Sequence, residues 1–290
     1  MRPLAGKIAV VTGGSRGIGR GIALALGDAG ATVYVTGRTI TPGATPLPGT
    51  IGDTARGVDM RGGRGIAVQV DHADDAQATA LFDRVAADHG RLDLLVNNAI
   101  AIPDTMTDRA GFWEKPLANW AMFDIGVRAA FVASRAAARI MAPRRAGLIV
   151  ALSGYVGVTY TYDVIFGATK AATDRMIRDM GRELAPHGVA ALSLWQGFTH
   201  TERATGNLRS VAGMASQLNA RAGSSVEFPG RVIAALAADA GIMRRNGGTF
   251  ISAELATEYG VTDIDGRVIP SLRAERGAPI WRPVGEGDGA

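Results

Sequence analysis

The stretch "VVTGGSRGIGRGIALAL" at 10–26 constrains the fold of this chain more than any other. An apolar run ends in Thr12, glycines fall at 13, 17 and 19, and an amphipathic pattern of helical period follows without a gap. Glycine lets a backbone turn this sharply and approach its neighbours with no Cβ in the way. Strand, glycine turn and helix in immediate succession open a βαβ unit, so the spacing predicts a parallel sheet with helical crossovers.

The rest of the chain repeats the alternation. β-Rich runs at 7–13, 32–38, 65–71, 92–98, 147–153, 189–195 and 247–253 are separated by helical patterns near 18–29, 73–89, 117–141, 164–185 and 225–239. Runs that are apolar almost throughout suit strands buried on both faces. The expectation is an α/β fold: one doubly wound Rossmann-type domain over residues 1–272, with a seven-stranded parallel sheet and helices on both faces. The helix near 225–239 offers Ser225 as its N-cap and Glu227 in its first turn. Two segments interrupt the pattern. "TITPGATPLPGTIGD" (39–53), with three of the twelve prolines, reads as an inserted loop, as does "PDTMTDRAGFWEKP" (103–116). Both follow carboxyl ends of strands, the edge where open α/β sheets bind ligands. The Gly-, Pro- and charge-rich tail at 273–290 reads as disordered or as an arm onto a second subunit.

Composition excludes several chemistries. The 290 residues, 47% hydrophobic, suffice for one sizeable core. With no cysteine, disulfides, thiol nucleophiles and Cys-ligated zinc are ruled out. His72, His89, His187 and His200 lack metal-ligand spacing, so no metal is expected. The net charge of +4 rests almost wholly on arginine, since lysine occurs only at Lys7, Lys115 and Lys170. Basic residues come in pairs and never in long runs, which argues against a nucleic-acid partner. No apolar run approaches the ~20 residues that span a bilayer, and no leader is expected before the first strand. A cytoplasmic protein without membrane attachment is expected.

The glycine turn also carries chemistry. Its backbone N–H groups, at the start of a helix, can approach a diphosphate closely, and the helix dipole favours the anion. A dinucleotide is therefore expected there. An NAD site requires an acid at the end of the second strand. That strand ends in Arg38 instead, and Arg16 lies inside the glycine turn. Two guanidiniums suit a 2′-phosphate, so the expected cofactor is NADP. Asp71, ending the third strand, is placed to accept from the adenine amino group, and Asn97, Asn98 and Ala99 end the fourth beside a ribose.

TGxxxGxG at 12–19, NNA at 97–99, a strand-ending Ser153, Lys170 and "WQGFTHT" (195–201) together resemble the short-chain dehydrogenase/reductase (SDR) family, over residues 5 to about 255. The resemblance implies cofactor contacts from Gly13, Ser15, Arg16, Gly17, Ile18 and Gly19 in the first turn. It adds Arg38, Asp71, His72, Asn98 and Ala99 at later strand ends. Lys170 would hold the nicotinamide ribose, and Gly197, Phe198 and Thr201 follow the sixth strand. It also implies four catalytic roles: a tyrosine that exchanges a proton with substrate, a lysine that lowers its pKa, a serine that orients substrate, and an asparagine supporting a relay water. Ser153 matches the serine, thirteen residues before the tyrosine position, and Lys170 matches the lysine.

The tyrosine position is Phe166, the asparagine position Gly126, and the usual proline of the PG stretch is Gln196. Phenylalanine can neither give nor take a proton. Three explanations are open. Tyr162, four residues before Phe166, stands in if the helix reaches that far back; or the acceptor needs no acid; or the phenylalanine was introduced. Ser153, Tyr155, Trp113 and Gln196 are expected to contact substrate. The expected activity is hydride transfer to or from a small carbonyl, imine or activated alkene. The alternative is a non-catalytic NADP-binding sensor or scaffold. Two Ala-rich helices, near 117–141 and bearing Lys170, are apolar on more than one face, and a homodimer or homotetramer is expected.

Overall fold

The computed structural model describes residues 2–207 and 223–285. The seven apolar runs form β1 (Ile8–Val11), β2 (Thr32–Gly37), β3 (Arg64–Gln69), β4 (Leu94–Asn97), β5 (Gly147–Ser153), β6 (Val189–Trp195) and β7 (Thr249–Ile251). Every pairing is parallel, in the order β3-β2-β1-β4-β5-β6-β7. Strand order reverses between β1 and β4, so the loops leaving their carboxyl ends diverge and open a crevice.

Side chains alternate across the sheet and feed two cores. Ala9 and Val11 join a cluster with α1 (Gly17–Asp28), α2 (Ile51–Met60) and α8 (Phe228–Ala238), through Ile22, Leu26, Val58 and Val232. Ile8 and Val10 join the opposite cluster with α3 (Asp75–His89), α5 (Ala129–Met141) and α6 (Val164–Leu184), through Phe82, Val85, Ala137 and Ile177. Helix α1 lies very close to the chain before α8: a Cβ on Gly21 would come within 1.9 Å of Val226 O. Only glycine fits there.

Four expectations change. The segment 39–53 is not all loop, because α2 starts at Ile51, with Thr50 Oγ1 accepting from Asp53 N at 3.0 Å. That cap was legible in "TIGD". The run 117–141 is not one helix. A 3-10 turn (Leu117–Trp120), the short α4 (Ala121–Phe123) and a π turn (Asp124–Arg128) precede α5. Ser225 does not cap α8, since the N-cap is Glu227 and Ser225 Oγ is held by Asp263. Glu227 is thus outside the first turn, where its carboxylate binds Arg61 at 2.6 and 2.9 Å. The tail, as far as it is described, lies on its own chain. Thr249 N donates to Trp281 O at 2.9 Å and Val284 N to Asn246 O at 2.7 Å. Arg175 stacks over the Trp281 ring, and Arg178 donates to Arg282 O. Residues 286–290 of that segment lie outside the described residues.

Helix α6 is tied to the sheet by a buried polar knot. Asp174 accepts from Ser193 Oγ and from Trp195 Nε1 at 2.9 Å, both on β6. One turn earlier, Lys170 Nζ donates to Leu152 O on β5 at 2.8 Å. Burial pushes the Asp174 carboxyl up. Burial also pushes the Lys170 ammonium down to about 8, against the opposing pull of Asp174. Folded chains therefore release this proton at about pH 8, whereas unfolded chains hold it to the ordinary 10.5. Between those values the unfolded state binds more protons, so stability rises with pH. In urea unfolding, the stability of the wild type minus that of Lys170→Met is expected to climb between pH 8 and pH 10.5, by on the order of 3 kcal/mol at most. A difference that stays flat over that window would remove the buried ammonium from the account.

Candidate active site

Thr12, the last residue before the glycine turn, organises the crevice. Its Oγ1 accepts from Asn98 N and Ala99 N, both at 3.0 Å, while Asn98 Nδ2 donates to Thr12 O at 2.9 Å and Gly13 O at 3.1 Å. The Asn98 side chain is thus spent on shaping the turn. A Cβ on Gly19 would sit 2.2 Å from Gly13 O, so the turn closes only with glycine there. Helix α1 then starts at Gly17 with Arg16 as N-cap, no side-chain cap and no acid in its first turn. Its first N–H groups have positive character that the local sequence leaves uncompensated. A carboxylate from far along the chain supplies the anion: Glu202 Oε2 accepts from Gly17 N at 3.1 Å. A cradle that already holds one anion fits a diphosphate.

Arg16 Nη2 donates to Thr39 Oγ1 at 3.0 Å and Gly49 O at 3.3 Å, while its Nε is buried without a partner. Burial lowers its pKa, opposed by Glu202. Arg38, next to Thr39, is 76% exposed, its Nη1 4.0 Å from Asp71 Oδ2. Both guanidiniums therefore border the loop after β2. Asp71 Oδ1 accepts from Ala73 N at 3.0 Å. The His72 ring is turned inward, its Nε2 2.9 Å from Thr36 Oγ1, and burial pushes it down to about 4. The Nε2 of this neutral imidazole is thus committed to Thr36. Ser15 stays half-buried in the turn, and Ile18 packs partly onto the core. After β6, Gly197 adopts a left-handed φ of 75°, Phe198 O accepts from Ser224 N at 3.0 Å, and Thr201 Oγ1 accepts from Ala204 N at 3.1 Å. That last bond caps α7 (Glu202–Asn207).

The second half of the site gathers around α6, and several expected residues are elsewhere. Phe166 is half-buried, one turn before Lys170. Ser153 is fully buried, and its Oγ donates to Lys170 O at 3.2 Å beside the Asp174 carboxyl. It faces the helix and not the crevice. The next residue, Gly154, is extended (φ −177°, ψ 170°), and a Cβ there would meet nothing within 4 Å. Tyr155 is a core residue, 8% exposed and edge-on to Trp195, its hydroxyl accepting from Leu272 N at 3.1 Å. Tyr162 precedes the helix, because Asp163 caps it by accepting from Ile165 N at 2.7 Å. With a left-handed φ of 67°, Tyr162 does not share a helix face with Lys170. Trp113 stands 75% exposed on its loop, edge-on to Phe112, and is not enclosed in a pocket. Gln196 Oε1 is buried without a partner at the end of β6. Gly126 lies in the π turn, where a Cβ would come within 2.6 Å of the Thr169 methyl.

One constellation was not anticipated. Lys115, its side chain 6% exposed, donates to Met106 O at 2.9 Å and Tyr162 O at 2.8 Å and pairs with Asp163 Oδ2 at 3.1 Å. Asn119 Nδ2 also donates to Asp163, at 3.2 Å, and Asn119 Oδ1 accepts from Thr105 Oγ1 at 2.7 Å. Burial pushes the Asp163 carboxyl up, but hydrogen bonds from Lys115, Ile165 N and Asn119 outweigh it and hold it below the usual range. The clasp fixes the 103–116 segment to the start of α6. The only signal was one of three lysines in a chain whose other cations are arginine.

Among the described residues no group of three or more His, Cys, Asp or Glu is placed to hold a metal ion, and no helix is long and apolar enough to cross a membrane.

Residues 7–210 match the family model for short chain dehydrogenase. Dehydrogenase/reductase SDR family member 1 from Mus musculus is 38% identical over 277 residues, covering 92% of this chain and 86% of the relative. The Homo sapiens protein of that name is 36% identical over the same shares. A crystal structure of a candidate NAD(P) dependent gluconate 5-dehydrogenase from Beutenbergia cavernae, with NADP at low occupancy, superposes with a TM-score of 0.74 at 30% identity. It covers 87% of this chain and 97% of that one. The parallel seven-stranded sheet is thus shared with that structure, and this chain belongs to the short-chain dehydrogenase/reductase family.

Proposed function

We propose that this chain is an NADP-dependent oxidoreductase whose acceptor does not take its proton from a tyrosine. The observation that carries the reading is the juxtaposition at one sheet edge of the anion cradle, flanked by Arg16 and Arg38, with Lys170 held at Leu152 O. A nicotinamide dinucleotide supplies or takes the hydride when bound. The chain's own part is to hold it. The Gly17 N–H takes a diphosphate oxygen, Arg16 and Arg38 take a 2′-phosphate, and Lys170 faces the nicotinamide ribose. The structure with NADP at 30% identity supports this choice of phosphate-bearing cofactor.

The proton is the unusual part. Phe166 has no hydroxyl at the position one turn before Lys170, and Ser153 is turned into the protein. A hydride acceptor that is already cationic, such as an iminium carbon, needs no acid, and an activated alkene can be protonated on carbon by water. Both dispense with the acid that a ketone needs at the position of Phe166. The second reading, a non-catalytic NADP-binding sensor, is favoured by the same commitment of Ser153 and Tyr155 to structural hydrogen bonds. Homodimeric or tetrameric assembly and a cytoplasmic setting belong to the proposal as well.

Fluorescence titration should find NADPH preferred over NADH, with Arg38→Ala weakening NADPH by about tenfold to a hundredfold and leaving NADH unchanged. Equal affinities in the wild type would refute the NADP assignment. For the chemistry, NADPH oxidation is to be followed with a ketone, a cyclic imine and an enone. Phe166→Tyr is expected to raise ketone turnover, and Phe166→Tyr/Gly154→Ser to raise it further, toward the ~10²–10⁴-fold range of general acid–base catalysis. Neither change should help the imine. If NADPH binds but wild type and both variants turn over none of the three, the oxidoreductase reading fails and the sensor stands.

A further inference from the structure

Glu202 sits where a ligand would have to go. Its carboxylate is bound to Gly17 N at 3.1 Å, on the first N–H of α1, and is close enough to Arg16 to oppose the lowering of that guanidinium's pKa. A Cβ built on Gly17 would come within 3.5 Å of Thr201 Cγ2 and 3.7 Å of Glu202 Oε2, so the segment lies directly against the cradle. Helix α1 supplies no acid and no side-chain cap of its own. Among the described residues, the carboxylate on its N-terminus comes from 185 residues away.

The segment carrying Glu202 is anchored on both sides. Thr199 forms a parallel bridge with Ser224, His200 N donates to Ser224 O at 3.0 Å, and Ser224 is fully buried. Thr201 Oγ1 caps α7 through Ala204 N, which places Glu202 at its first position. Arg203 Nη1 pairs with Asp104 Oδ1 at 2.8 Å, fastening the helix start to the segment after β4. A carboxylate tethered this way acts at high effective concentration, and it cannot share Gly17 N–H with a phosphate oxygen.

We propose that Glu202 is an internal competitor for the diphosphate subsite and sets the affinity of this chain for diphosphate-bearing nucleotides. The proposal rests on the dinucleotide reading above. A ligand with a diphosphate must displace the carboxylate, so its apparent affinity falls by the fraction of molecules in which the cradle is open. A ligand whose only phosphate binds at Arg16 and Arg38 does not need the Gly17 N–H and so does not compete with the carboxylate for it. Displacement also frees the start of α7 from Gly17, so filling the cradle is coupled to the segment that follows β6. By reciprocity, whatever holds that segment open tightens the nucleotide.

Calorimetric titration of the full chain with ADP and, separately, with 2′-AMP tests this. Glu202→Gln is expected to tighten ADP by about threefold to tenfold while 2′-AMP stays within about twofold. Glu202→Asp keeps the charge but withdraws the oxygen by one methylene, and should tighten ADP by a similar factor. ADP affinity that is unchanged or weaker in both variants overturns the proposal. So does an Asp variant that matches wild type while the Gln variant tightens, because the effect would then be general charge repulsion and not the contact with Gly17. If neither probe binds wild type or either variant, the dinucleotide reading itself fails. Thermal melts report whether each variant folds; should Glu202→Gln not fold, Glu202→Asp decides.

Discussion

The buried carboxylate of Asp174 is the contact on which the geometry of the site depends. It takes hydrogen bonds from two residues of β6 and lies beside Ser153 of β5, so one side chain fixes the depth at which α6 meets both strands. That depth sets Lys170, one turn earlier, against Leu152 O at the carboxyl edge. Removing a partner from a buried charged group typically costs several kcal/mol, more than replacing the whole group by apolar atoms, so such a knot resists piecemeal change. The same bonds explain why Ser153 is unavailable for other work. A hydroxyl that bridges the strand to the helix backbone holds the scaffold and cannot also face a ligand.

The clasp of Lys115 on Asp163 does for the top of α6 what Asp174 does for its middle. Asp163 ends the left-handed Tyr162 turn and starts the helix, and Lys115 binds both residues while reaching Met106 O. A long insertion after β4 is thereby made rigid where it borders the crevice. Its tip remains open, with Phe112 and Trp113 largely exposed. At the other end of the crevice, Arg16 performs the same task for the insertion after β2, through Thr39 and Gly49. Each inserted segment is thus pinned by a cation, Arg16 for the one after β2 and Lys115, with Arg203 on Asp104, for the one after β4.

What the sequence made legible follows from how local each signal is. Glycines at 13, 17 and 19 and the doubly buried strands announce themselves in a few residues, and all seven strands lie within the runs read from apolar pattern, to within a residue at one end. Helix α2 begins three residues after Pro48, so its Thr50–Asp53 cap is the one local signal of a helix in a proline-rich stretch. Ser153 was placed by counting thirteen residues back from Phe166. Along an extended chain, one residue more or less exchanges the two faces, and here Gly154 is the residue with open space beside it. Tyr162 required knowing where the helix begins, which Asp163 decides. The contacts of Trp281 with β7 and Arg175 are long-range, and nothing in a Gly- and Pro-rich tail foretells them.

The residues at 126 and 166 are not independent of one another. Gly126 lies in a π turn against the Thr169 methyl, with 2.6 Å between that methyl and any Cβ placed there. A larger residue at 126 would push Thr169, whose own hydroxyl is bound to Ile165 O at 2.7 Å in the turn that carries Phe166. Packing thus couples the helix around Phe166 to a glycine at 126. Here the space at 126 is filled, the serine at 153 is bonded inward, and only 154 is open. On the proposed reading, Phe166 and Gly154 leave no acid one turn from Lys170, so the acceptors that suit the site are those whose own charge or conjugation makes hydride transfer possible.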